Sequence, residues 1–153
     1  MKKISVIGAG TMGNGIAHCF AQKKFDVHLV DLSEEALKNA KSNIKNNLDR
    51  MIKKEIISEK EKHETLSRII FCKKIDESVQ NCDLVIEAVT ESKKIKLNIF
   101  KELDSICNKN TILASNTSSI SIKDIAEVTK RKHQIIGMHF MNPVPIMKLV
   151  EII

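Results

Sequence analysis

A chain of 153 residues, 42% hydrophobic and 29% charged, has the size and balance of one packed domain and not of a disordered segment. Its 25 Lys and Arg against 19 Asp and Glu leave a formal net charge of +6, which suits a polyanionic partner. Five Phe with no Trp and no Tyr offer few stacking aromatics, and no DNA-binding motif is present; a small polyanion such as a nucleotide or an acyl-CoA is therefore expected, with no nucleic acid. The lack of Tyr also excludes dehydrogenases whose proton donor is a Tyr/Lys pair. No apolar run approaches the ~20 residues that span a bilayer, so no membrane partner is expected. The run behind Met1-Lys2-Lys3 breaks into glycines by Gly8, which argues against a secretory signal. Cys19, Cys72, Cys82 and Cys107 form no C-x-x-C pair and no zinc-like spacing with the five His. They read as reduced thiols of a cytoplasmic protein with no metal site.

In chain order, Lys3–Ile7 is short, aliphatic and β-branched and predicts a buried strand. Ile16, Ala17, Phe20 and Ala21 then recur at helical spacing, and Phe25 to Val30 predicts a second strand ending at Asp31. Ser33 to Lys54 reads as a long amphipathic helix. Ser33 is its N-cap, Glu34 and Glu35 fill the first turn, and Leu37, Ala40, Ile44, Leu48 and Met51 form the apolar stripe. A charged helix follows over about Ser58 to Ser67. Further strands are predicted at Arg68–Cys72, Asp83–Val89 and Thr111–Ala114, with helices between them; Ile95, Ile99, Leu103 and Ile106 mark the clearest one. Ser121–Val128 is a short helix with a Ser121/Asp124 capping-box pattern. Two last strands, Gln134–His139 and Lys148–Ile153, flank Asn142-Pro143-Val144-Pro145. The alternation implies an α/β fold, a doubly wound and mostly parallel sheet of Rossmann type with helices on both faces, forming one domain over residues 1–153. The apolar run at Ile153 is the expected mark of a truncated protein.

Four of the five glycines stand at positions 8, 10, 13 and 15. Gly8-Ala9-Gly10-Thr11-Met12-Gly13 is G-x-G-x-x-G, placed after a strand and opening a helix, where a diphosphate would meet free N–H groups. Asp31 ends the next strand 18 residues after Gly13. Its carboxylate accepts from both ribose hydroxyls and repels a 2′-phosphate, so NAD is preferred to NADP. The strand Asp83 to Val89 ends in acids, and Glu87 or Glu91 has either a ligand role or a helix-capping one. Lys93, Lys94 and Lys96 oppose the dipole of the following helix, through either an anionic ligand or a solvated face. Ser115-Asn116-Thr117-Ser118-Ser119 lies at the carboxyl end of a strand, where chemistry collects; without a neighbouring His or a G-x-S-x-G elbow, a hydrogen-bonding role suits it better than a nucleophilic one. His139 and Glu151, twelve residues apart, are placed to become an imidazole–carboxylate pair across neighbouring strands.

Together, "VIGAGTMGNGIA", "DLVIEAVTE", "ILASNTSSISI" and "GMHFMNPVPIMKLVEII" resemble the 3-hydroxyacyl-CoA dehydrogenase family, in particular its short-chain 3-hydroxybutyryl-CoA branch, from Lys2 to Ile153. The resemblance implies that Gly8, Gly10, Gly13 and Asp31 hold the adenosine half of NAD, and that Ala9, Thr11, Met12, Glu91, Lys96, Ser118 and Asn142 also contact the cofactor. It implies His139 as catalytic base with Glu151 as its partner, and Ser118 as hydrogen-bonding near the substrate oxygen and CoA. Lys54 matches a CoA-contacting lysine, and Asn47 stands where some relatives carry a CoA-contacting serine. The basic helix agrees: Lys38, Lys41, Lys45, Arg50, Lys53 and Lys54 oppose only Asp49 between positions 38 and 54. The family continues into an all-helical domain that supplies homodimer contacts, one wall of the acyl-CoA cleft and a further catalytic asparagine. The implied reaction interconverts a (3S)-3-hydroxyacyl-CoA and a 3-oxoacyl-CoA. The alternatives are a non-catalytic dinucleotide-binding member and a β-hydroxyacid dehydrogenase acting on free acids.

Overall fold

The first strand, β1 (Lys3–Ile7), has no polar face: Ile4, Ser5, Val6 and Ile7 are all buried, as a strand covered by helices on both sides requires. It is the inner strand of a computed structural model that describes residues 2–153, the side chain of Glu77 excepted. Helix α1 (Thr11–Gln22) leads to β2 (Asp26–Val30), and helices α2 (Glu34–Lys53) and α3 (Glu59–Ser67) lead to β3 (Ile69–Cys72). Then come α4 (Asp76–Gln80), β4 (Leu84–Glu87), α5 (Lys93–Ile106), β5 (Ile112–Ser115), α6 (Ile122–Glu127), β6 (Ile135–Phe140) and β7 (Val150–Ile152). The sheet order is β3-β2-β1-β4-β5-β6-β7. Six strands run parallel, and β7 turns back antiparallel on β6. The order reverses between β1 and β4, so a crevice opens beyond their carboxyl ends, the place where doubly wound sheets bind ligands.

The two faces of the sheet bury two apolar layers. Ile4, Val6 and Leu29 pack with Ile16 and Ala17 of α1 and Leu37, Ile44 and Leu48 of α2. On the other face Ile7, Val85 and Leu113 meet Phe100 and Leu103 of α5 and Ile125 of α6. Each fully buried Leu, Ile or Phe contributes about 1.5–3 kcal/mol. The stripe predicted for α2 is the observed one, apart from Met51, which is half-buried.

Caps set the helix starts. Ser33 Oγ accepts from the Ala36 amide, and Ser58 and Glu61 form a complete capping box. The box expected at Ser121 is only half made. Its Oγ accepts from the Asp124 amide, but the shorter Asp side chain turns away to Lys93 Nζ, 2.6 Å distant. Strand limits differ from expectation by one or two residues. β4 stops at Glu87, beside the glycine loop; β5 runs Ile112–Ser115, one residue later than expected; β6 runs to Phe140; and β7 spans only Val150–Ile152.

The far end of α5 is closed by a buried arginine. Arg131 Nε donates to Asp104 Oδ1 at 2.7 Å, and its Nη atoms donate to the carbonyls of Asn108, Asp104 and Cys107 at 2.6, 2.9 and 3.0 Å. The Asp104 carbonyl is among those that the C-terminus of α5 leaves without a helical partner, and Cys107 is the C-cap. Burial alone would push the Asp104 carboxyl up, but the Lys130 amide and the Arg131 guanidinium outweigh it and hold the group below its usual range. Burial likewise pushes the Cys19 and Cys107 thiols up to about 11 and the Cys82 thiol up to about 12, which leaves them poor nucleophiles. No helix among the described residues is long and apolar enough to cross a membrane.

Two predictions follow from these buried polar groups. Arg131→Ala strands the Asp104 carboxylate and the α5 carbonyls, and should cost about 3–5 kcal/mol, read as a lower denaturation midpoint with an unchanged m-value. His18 on α1 is fully buried, neither ring nitrogen has a partner, and burial lowers its pKa to about 4. The unfolded chain, with an ordinary imidazole, therefore binds the proton first as pH falls. Stability should decline between about pH 6.5 and pH 4 by roughly 3 kcal/mol. A His18→Leu variant should lose most of that slope in urea titrations across the same range.

Candidate active site

The glycine loop is shaped by clearances of backbone against backbone. Gly8 has φ +103°, a conformation L side chains rarely adopt, and a Cβ there would lie 2.7 Å from the Ala88 carbonyl oxygen. A Cβ on Gly13 would lie 1.7 Å from the Gly8 carbonyl oxygen. Around Gly10, in contrast, nothing lies within 4 Å of where a Cβ would stand. Gly10 is also the N-cap of α1 and offers its first turn no side-chain partner, and no acidic residue occupies that turn. The residues thus leave room and free donors for an anion at this helix start.

Asp31 faces the same space. Its two oxygens accept from the Ala9 amide at 2.8 Å and the Ser33 amide at 2.9 Å. Ala9, expected among the cofactor contacts, therefore spends its N–H on Asp31 and buries its methyl. A carboxylate accepts about four hydrogen bonds, so Asp31 keeps capacity for a ligand's hydroxyls. Gly8, Gly10 and Asp31 line one cavity of about 720 Å³, floored by Val30, Ile75 and Ile99.

A second cavity, of about 320 Å³, brings together Met12, Glu91, Lys96, Ser118, His139 and Asn142. Ala88 and Val89 line both cavities, so the two open on either side of the end of β4. Strand pairing sets His139 opposite Glu151, with His139 Nδ1 2.8 Å from Glu151 Oε2. A carboxylate only accepts, so Nδ1 is the donor of this bond. The imidazole is about a quarter exposed and the carboxylate about half.

Lys96 lies neither on a solvated face nor free toward a ligand. It is 1% exposed, with Nζ 2.6 Å from Glu87 Oε1, 3.2 Å from Glu91 Oε2 and 3.3 Å from the Val89 carbonyl. Lys93 pairs with Asp124. Glu87, open between a ligand and a capping role in the sequence, caps nothing: it is fully buried, with Oε1 also accepting from the Val89 amide at 2.7 Å and Oε2 from Ser115 Oγ at 2.7 Å. Glu91 Oε1 accepts from the hydroxyls of Thr117 and Ser119, which flank Ser118. Burial pushes the Glu91 carboxyl up, but these hydroxyls and the Lys96 charge outweigh it and hold the group below its usual range. Asn116 ties the serine loop to the imidazole's strand, its Oδ1 accepting from the Phe140 amide at 2.9 Å.

Asn47 lines a third cavity, of about 230 Å³, with Thr11, Asn14, Arg50 and Asn142; Asn142 joins it to the His139 cavity. Lys54 caps the C-terminus of α2, exposed, and lines none of the three. Sequence reasoning missed Ser115, Thr117 and Ser119 as individual partners. The available signal was Glu87 itself, a charge inside an otherwise apolar strand with a lysine nine residues on.

The profile of the family described as "3-hydroxyacyl-CoA dehydrogenase, NAD binding domain" matches residues 3–153. The chain is 48% identical over its whole length to a 3-hydroxybutyryl-CoA dehydrogenase of Bradyrhizobium diazoefficiens, covering 52% of that protein. It is 41% identical to the human mitochondrial hydroxyacyl-coenzyme A dehydrogenase, again over the whole chain and 50% of the relative. The crystal structure of (S)-3-hydroxybutyryl-CoA dehydrogenase from Ralstonia eutropha superposes with a TM-score of 0.96 at 45% identity, over 99% of this chain and 53% of that one. The chain thus spans about half the length of these relatives. The open space at Gly10 provides a direct check of the site. Gly10→Ala adds a Cβ with nothing within 4 Å of it and should leave the melting temperature within about 2 °C, while narrowing the gap at the start of α1 and weakening dinucleotide binding in a fluorescence titration.

Proposed function

Since the chain belongs to the family of 3-hydroxyacyl-CoA dehydrogenase NAD-binding domains, we propose that it is the cofactor half of an enzyme interconverting (3S)-3-hydroxybutyryl-CoA and its 3-oxoacyl counterpart. The observation that carries this reading is the His139–Glu151 pair at 2.8 Å, in one cavity with Ser118 and Asn142. NAD is the cofactor, and when bound its nicotinamide supplies the hydride acceptor. The glycine loop and Asp31 hold its adenosine side, and Asp31 disfavours a 2′-phosphate.

His139 Nε2 takes the proton of the 3-hydroxyl in oxidation and returns it to the carbonyl oxygen in reduction. Glu151 fixes the tautomer and stabilises the imidazolium that forms. Ser118 hydrogen-bonds the reacting oxygen, its loop steadied on both sides by the Thr117 and Ser119 bonds to Glu91. The pantetheine arm lies along α2 past Asn47, and Lys54 meets the CoA end. Exposed Ile146, Met147, Leu149 and Ile152 support a helical domain packing beside β7 to complete the cleft and to join two copies into a homodimer. The names of the relatives support the acyl-CoA substrate.

The test follows NADH absorbance with acetoacetyl-CoA, in this chain alone and joined to the C-terminal half of a relative. Turnover is expected in the joined protein, with free acetoacetate inert. His139→Ala should lower kcat by about 10²–10⁴ and leave NADH affinity unchanged within about twofold. Activity of that variant within a few-fold of wild type would remove His139 from its role, and turnover of the free acid would replace the acyl-CoA reading with that of a β-hydroxyacid dehydrogenase.

A further inference from the structure

The buried carboxylate of Glu87 belongs to none of the roles above, yet it is the point at which three parts of the reaction-side cavity meet. It ends β4, in register with Ser115 at the end of β5. Oε1 accepts from Lys96 of α5 and from the Val89 amide, and Oε2 from the Ser115 hydroxyl. Its backbone carbonyl accepts from the Asn116 amide at 2.8 Å. Ser115 Oγ in turn accepts from the Thr117 amide at 3.3 Å, and Thr117 Oγ1 accepts from the amides of Ser119 and Ile120. One fully buried charge therefore sets the height of the Lys96 ammonium and the course of the loop carrying Ser118. The Glu87 backbone carbonyl, through Asn116, is also tied to the Phe140 amide on the strand of His139.

Charge is essential to this arrangement. Lys96 Nζ and the Val89 amide can only donate, and both meet Oε1. A carboxamide could still serve them and the Ser115 hydroxyl, which accepts as well as donates, but it would bring no charge to Lys96. Lys96, 1% exposed, would then be left with Glu91 as its counter-ion, on the cavity side, and would move toward it.

We propose that Glu87 is a positioning residue for the nicotinamide end of the cofactor: it holds Lys96 and the Ser118 loop in place and has no part in holding the adenosine half. This rests on the reading above, that the nicotinamide lies in the cavity with His139. Its signature is selective. ADP-ribose, which lacks the nicotinamide, occupies the Gly8–Asp31 side, which the Glu87 carboxylate reaches only through the Val89 amide.

The test compares NADH and ADP-ribose binding by the 153-residue chain, with NADH followed by fluorescence and ADP-ribose by its displacement of NADH or by calorimetry. Wild type should bind NADH more tightly than ADP-ribose. Glu87→Gln should weaken NADH by roughly tenfold or more and leave ADP-ribose within about twofold, so the gap between the ligands closes. Ser115→Ala, which removes only the Oε2 donor, should give a smaller loss with the same selectivity; it is read alone if Glu87→Gln does not fold. Equal weakening of both ligands would mean a general packing fault and would overturn the proposal, as would unchanged NADH binding. If wild type bound the two ligands equally, the placement of the nicotinamide would fall first, and the role of Glu87 with it.

Discussion

The carbonyl oxygen of Gly8 stands where a side chain on Gly13 would have to go, and everything on the ligand side of the sheet depends on that contact. It lets α1 start immediately behind β1, with its N-terminus over the strand end. The same turn brings Gly8 against Ala88, which ends β4 at Glu87 and fixes the width of the crevice at the switch point. Were the helix displaced by even one methyl group, Gly10 would no longer present an open edge beside Asp31. The Gly8–Asp31 side is thus built from absences of side chains and from one carboxylate braced by two backbone amides.

The His139 side is built in the opposite way, from charge. Lys96, Glu87 and Glu91 come from α5, the end of β4 and the loop between them, and two of the three are almost wholly inaccessible. Buried ions are costly unless each is paired and its remaining hydrogen-bonding capacity is used. Here the hydroxyls of Ser115, Thr117 and Ser119 supply that capacity. A run of small polar residues after β5 is therefore the complement of the acids after β4. The two loops are parts of one network, although they lie some thirty residues apart in the chain.

How much of this was readable beforehand divides along the same line. Periodicity and turn chemistry are local, so the strands, the long α2 with its Ser33 cap and the glycine turn with Asp31 all stand where the residue pattern placed them. Most limits moved by a single residue, and β4 was cut by two at Ala88, which meets the glycine loop. The partners of Lys96 and of Asp124 were not readable, because a lysine on a helix reads the same whether it faces water or a buried acid. Local rules even favoured the wrong neighbour: Asp124 matches a capping box and prefers Lys93. The His139–Glu151 contact was open on spacing alone and depended on β7 folding back beside β6.

That folding back has a consequence for how the imidazole can acquire or lose its carboxylate. Successive residues of a strand face opposite sides, so a slip of β7 by a single position would bring Val150 or Ile152, not a displaced Glu151, across from His139. The pairing has no intermediate setting. In an edge strand of three residues, the His139–Glu151 contact is therefore quantised by register: the pair exists whole or is replaced by an aliphatic neighbour, and gradual adjustment by small shifts of the strand is not available to it.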